Sequence, residues 1–136
     1  MRQRTPEFYD AFYAKLQQSK DDSSLTFGGV LDYFWEKLDR VEASFSSKMV
    51  ATVNPDMPVW DREVLKNLGL KPPLYNDRNR LTKTKRLYDS IVEWYENYLK
   101  TQQSKEAISE FGRRFPNSGI SNTKKIDLIL WQTRDR

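Results

Sequence analysis

Lys48 and Asp61 put an amine and a carboxylate 13 positions apart, separated by two prolines, Pro55 and Pro58. A carboxylate held still can stabilise a cation that develops beside it, or activate a water. An amine can attack an electrophilic carbon once it has lost its proton, which takes burial or a neighbouring cation. Each residue also has a plainer role. Asp is a preferred helix N-cap, worth ~1 kcal/mol, and a lysine commonly sits on a solvated surface. The chain contains no histidine and no cysteine. Ser-His-Asp and Cys-His nucleophiles, thiolate zinc sites and disulfides are therefore excluded. Acid–base chemistry falls to Asp, Glu, Lys and Tyr, and no cofactor or metal is expected.

The elements that must hold these two groups are helical. Apolar residues recur at helical spacing along nearly the whole chain, and no segment alternates with period two over a useful length. Phe8, Phe12 and Leu16 follow Pro6, a residue suited to a first helical turn. Lys20 to Ser24 reads as a loop. Phe27, Val30, Leu31, Phe34, Trp35 and Leu38 form the strongest amphipathic stripe, capped by Thr26 or Ser24. A short helix is expected through Phe45, Met49 and Val53, stopping before Pro55, with Lys48 near its start. Asp61 caps the next helix, which carries Val64, Leu65 and Leu68. Gly69 is its natural C′ residue, and Pro72-Pro73 prevent continuation. After a loop from Leu70 to Asn79, a long helix presents Leu81, Tyr88, Ile91, Val92, Tyr95 and Leu99. Ser104 is expected to cap a short helix with Ala107, Ile108 and Phe111, stopped by Pro116. Ser121 opens a last helix with Ile126, Ile129 and Leu130 inward. Trp94 and Trp131 suit packing or an exposed patch. The expectation is an all-α fold, one helical domain of about six to eight helices over residues 1–136.

Hydrophobic residues make up 38% and charged residues 31% of the 136 positions, and 13% are aromatic, which argues against disorder. No apolar run approaches the ~18 residues of a spanning helix, and Met1 to Pro6 lacks the core of a signal peptide. A cytoplasmic protein that does not enter membranes is expected. The net charge is +4, but it is unevenly spread. Residues 1–47 carry more acids than bases. Segment 62–86 holds Arg62, Lys66, Lys71, Arg78, Arg80, Lys83, Lys85 and Arg86 against only Glu63 and Asp77. Such a cluster attracts polyanions by releasing their counterions.

The stretch from Phe45 to Leu70, with Pro58-Val59-Trp60-Asp61 and Leu68-Gly69-Leu70, resembles the helix-hairpin-helix DNA glycosylases. It also resembles bacterial and phage proteins that carry a Ser-Lys…Asn-Pro…Pro-Val-Trp-Asp pattern. In the glycosylases a helix leads to a Pro-Val-Asp segment whose acid caps the next helix. Some members have a catalytic Lys at the start of the preceding helix, where Lys48 stands here. The resemblance implies a glycosylase-like helical fold and a DNA partner, with RNA as the other candidate polyanion. It also implies a protein that removes or recognises a modified base. Losing a base leaves positive charge on the sugar, which Asp61 would stabilise, and Lys48 would be the amine that attacks C1′. The extruded base needs an aromatic or apolar pocket, for which Trp60, Phe45 and Trp35 are candidates. Arg62, Lys66, Arg80, Lys83 and Lys124 are candidate nucleic-acid contacts. Two departures are plain: Glu42 to Ser47 stand where the family has a glycine-rich phosphate grip, and a Trp separates the Val from the acid. Two other functions remain open at this point, a helical nucleic-acid-binding module without catalysis and a helical protein-interaction protein.

Overall fold

The computed structural model describes residues 5–22 and 24–132. Among them are seven helices and no strand: α1 (Pro6–Ser19), α2 (Phe27–Leu38), α3 (Ala43–Val53), α4 (Arg62–Asn67), α5 (Arg80–Leu99), α6 (Gln102–Arg114) and α7 (Asn122–Gln132). The side chain of Trp131 and residues Met1 to Arg4 lie outside the described set. No helix among the described residues is long and apolar enough to cross a membrane.

Local signals set most of the boundaries. Thr5 caps α1, accepting from the Phe8 amide at 3.2 Å, with Pro6 in the first turn. Thr26, rather than Ser24, caps α2 and accepts from the Gly29 amide at 3.1 Å. A Cβ on Gly29 would lie 3.1 Å from that same oxygen, so glycine here gives the cap room. Asp39, left-handed at φ 54°, ends α2 and donates its amide to the Trp35 carbonyl. α6 begins earlier than its sequence indicates. Thr101, not Ser104, is the cap: its Oγ1 accepts from the Ser104 amide at 3.1 Å, and the Ser104 hydroxyl is buried, donating to the Thr101 carbonyl. Two hydroxyl residues three apart both fit an N-cap, and the first one wins because the second is drawn inward.

The core gathers one face from nearly every helix. Val30, Leu31 and Phe34 of α2 meet Met49 and Val50 of α3, Ile91 of α5, Ile126 of α7 and Phe8 of α1, all of them buried. α2 is the central element, in contact with α1, α3 and α5, while α7 covers α4 and α6. Trp35 does not belong to this core. It is 43% exposed, because one position past Phe34 it turns off the buried stripe. Trp94 is half-buried and stacks on Tyr98 with ring centroids 4.8 Å apart.

Candidate functional site

The loop between α3 and α4 is fixed from three sides. On the α7 side, the Ser121 hydroxyl donates to the Pro55 carbonyl and the Thr123 hydroxyl to the Asp56 carbonyl at 2.9 Å. From α5, the Tyr88 hydroxyl donates to the Pro58 carbonyl at 2.7 Å. From α3, Ser47 Oγ accepts from the Trp60 amide at 2.7 Å and donates to the Ser44 carbonyl at 2.8 Å. Beneath the loop, the Asp127 carboxylate accepts from the Val59 amide and from the Tyr95 hydroxyl. The contacts to Pro55, Asp56, Pro58, Val59 and Trp60 satisfy main-chain groups that the prolines and the turn leave without a helical partner. The loop therefore delivers Trp60 and Asp61 in one defined position.

Asp61 spends one carboxylate oxygen on α4. Oδ1 accepts from the amides of Glu63 at 2.8 Å and Val64 at 3.4 Å, while Oδ2 has no hydrogen bond among the described residues. The far end of α4 closes as a Schellman motif. The Leu70 amide reaches the Leu65 carbonyl at 2.9 Å and the Gly69 amide reaches the Lys66 carbonyl at 3.1 Å, with Gly69 at φ 72°. A six-residue helix has little stability of its own, so both caps matter. Asp61→Ala is expected to cost about 1 kcal/mol in urea denaturation, and Asp61→Asn much less, because Asn caps nearly as well. Equal losses in the two variants would show that charge, not capping, is what Asp61 contributes to stability.

Lys48 and Asp61 line one groove of about 800 Å³ between α3 and α4. Trp60, Leu65 and Leu70 supply its apolar surface, and Arg62, Lys66 and Lys71 its cations. Lys48 is not at the start of its helix. It is the sixth residue of α3, which begins at Ala43, two residues before Phe45, so the dipole at the helix start does not act on it. Its ammonium lies 5.2 Å from the centroid of the Phe45 ring and forms no ion pair among the described residues. Trp60 stacks on Phe27 at 6.3 Å, and Phe27 on Tyr88 at 4.0 Å.

The other candidates are dispersed. Phe45 packs against Phe8 at 4.8 Å and Phe12 at 5.6 Å and lines none of the cavities described here, so it belongs to the hydrophobic interior. Trp35 and Arg80 line a different cleft. Lys83 points its ammonium at Asp77, 2.6 Å away. Lys85 pairs with Asp32 at 2.8 Å. Lys124 is exposed in the first turn of α7, near Asp127 rather than on the groove.

Asp127 is the residue that the sequence does not announce. It is 7% exposed, and burial pushes its carboxyl up to about 6. The Tyr95 hydroxyl, the Lys124 charge and the Val59 amide pull the other way, and the negative charge of Asp61 adds to the rise. Burial, reinforced by Asp127, also raises Tyr88 and Tyr95, so both phenols stay neutral donors. No group of acids that could hold a metal ion occurs among the described residues. No family model matches the chain, and neither a curated protein nor a solved structure matches it.

Proposed function

We propose that this protein binds DNA and takes an unstacked base into the Lys48–Asp61 groove, in the manner of a glycosylase-like recognition domain. One observation supports the reading above the rest: an acid, an amine and an apolar surface share a single concavity whose cations are Arg62, Lys66 and Lys71. An extruded base needs that apolar surface, here Trp60, Leu65 and Leu70. The flanking phosphates need the cations. In the catalytic form of this reading, Asp61 Oδ2 faces the sugar as the base leaves and stabilises the developing positive charge, while Oδ1 keeps α4 in place. A second reading, binding without turnover, is favoured by the position of Lys48. An aromatic face attracts a cation, so the Phe45 ring suits an ammonium that contacts phosphate better than it suits an attacking amine.

Fluorescence anisotropy with labelled DNA tests binding. Three phosphate contacts imply a salt slope of about −2 to −3, and Arg62→Ala is expected to flatten it by roughly one. No binding at about 50 mM salt would remove both readings. Incubation with DNA containing uracil, oxidised guanine or alkylated bases separates the two. Base release that disappears in Asp61→Asn establishes catalysis, and retained binding without release leaves the module.

A further inference from the structure

The bound strand, we propose, is single-stranded, and it runs from the Lys48–Asp61 groove past Trp60 into a second cleft where a base stacks on Tyr75 and Trp35. This inference rests on the DNA-binding reading and adds a site and a strand state to it.

The second cleft, of about 1010 Å³, lies between the end of α2 and the segment that leads into α5. Two large aromatic side chains stand open in it, Tyr75 at 87% exposed and Trp35 at 43%. An isolated exposed aromatic is unremarkable on a protein surface, but two in one concavity beside three arginines form a stacking platform. The arginines are Arg40, Arg78 and Arg80, and none of them forms an ion pair among the described residues. The cleft also contains three acids, of which Asp39 stands exposed at the end of α2 and the other two are engaged or buried. Lys83 and the Asn79 amide hold the Asp77 carboxylate and lower its proton affinity. Glu42 is buried.

Tyr75 is presented by a stiff segment. Pro72 and Pro73 restrict the approach. The Asp77 amide closes a turn on the Leu74 carbonyl at 3.1 Å, and the Arg80 amide closes the next on the Asp77 carbonyl at 3.1 Å. The Arg80 guanidinium lies 4.9 Å from the centroid of the Tyr75 ring. A ring held in this way loses little freedom when a base stacks on it.

The two concavities are neighbours. A hollow of about 190 Å³ lies between them, lined by Trp60 and Arg80 among others. Trp60 also lines the first groove, and Arg80 also lines the second cleft. Cations and aromatic rings thus occur in all three hollows. In a duplex the faces of each base are covered by its stacked neighbours and its edge by its pairing partner, so an unpaired strand is the form that can offer bases to Tyr75 and Trp35.

Anisotropy with a labelled oligo(dT) and with a blunt duplex of the same length tests the inference. Tyr75→Ala is expected to weaken oligo(dT) binding by about 5- to 150-fold, Tyr75→Phe to restore it, and neither to alter duplex binding. Trp35→Ala is expected to act in the same direction. Tyr75 is exposed in a loop, so its replacement leaves the core intact, and a thermal melt checks this. If Tyr75→Ala binds oligo(dT) as the parent does while Arg62→Ala binds it less well, the second cleft is overturned and the groove stands. An equal loss for strand and duplex overturns the single-strand claim. If the parent protein binds neither DNA, the underlying reading falls, and this one with it.

Discussion

Phe34→Ala is expected to lower the stability of the protein by about 3–5 kcal/mol, the range for removing a fully buried phenylalanine. Phe34 is wholly inaccessible. Its ring stacks with Phe8 at 5.4 Å and Phe12 at 6.2 Å and meets Tyr33 edge-on at 5.5 Å. Truncation therefore removes transfer energy, opens a cavity and takes partners from three aromatic rings. α2 also joins α1, α3 and α5, so the defect falls where most helices meet. Proteins of this size are stable by only about 5–15 kcal/mol, and a drop in Tm on the order of 10–20 °C should follow. The adjacent residue provides the control. Trp35→Ala removes a larger side chain that is 43% exposed, and it is expected to cost no more than about 1 kcal/mol. Urea denaturation of the two variants compares them directly. Equal losses would contradict the register of α2, since one of the two rings must face the core and the other the cleft.

The second large effect is a pH dependence that belongs to Asp127. Its carboxyl titrates near 6 in the folded protein and near 3.9 when unfolded. A folded-state value that is raised means that the native protein holds this proton more tightly. Stability from this group is therefore fully present below the unfolded value, and it is lost as pH rises from about 4 through about 6. A two-unit difference corresponds to roughly 3 kcal/mol. The expected result is that the parent protein loses this much relative to Asp127→Asn between about pH 4 and pH 7, because the amide cannot ionise. Denaturation midpoints measured at several pH values check it. Parallel curves for parent and variant would show that Asp127 does not titrate in this window. Asp22 and Asp77, whose carboxyls are lowered, act in the opposite sense and at lower pH, and they are unchanged in Asp127→Asn.

Features fixed by neighbours along the chain were legible in the sequence. The Asp61 cap, Gly69 beyond α4, the Pro72-Pro73 stop and the buried faces of α2 and α5 all follow from spacing and residue type. They locate the α3–loop–α4 segment and the cations beside it. Features fixed by distant contacts were not legible. Nothing near Asp127 marks it as buried, because Tyr95 is 32 positions away and the loop it supports lies three helices earlier in the chain. Phe45 and Trp35 carry the same aromatic signal, yet one packs on Phe8 and the other borders solvent. Lys83 looks like a free cation until Asp77 folds back onto it. That Trp60 and Arg80 are walls shared between neighbouring hollows emerges only from the folded chain.

The sharpest test is an amide NMR titration of the isotope-labelled protein with a short single-stranded oligonucleotide. Shift changes are expected at Ser44 to Lys48, at Trp60 to Lys71 and at the Trp60 indole, with the exposed cations of α6, Lys105, Arg113 and Arg114, left unmoved. Changes centred on α6, or none in the groove while DNA is bound, would contradict the assignment of the Lys48–Asp61 groove as the nucleic-acid site.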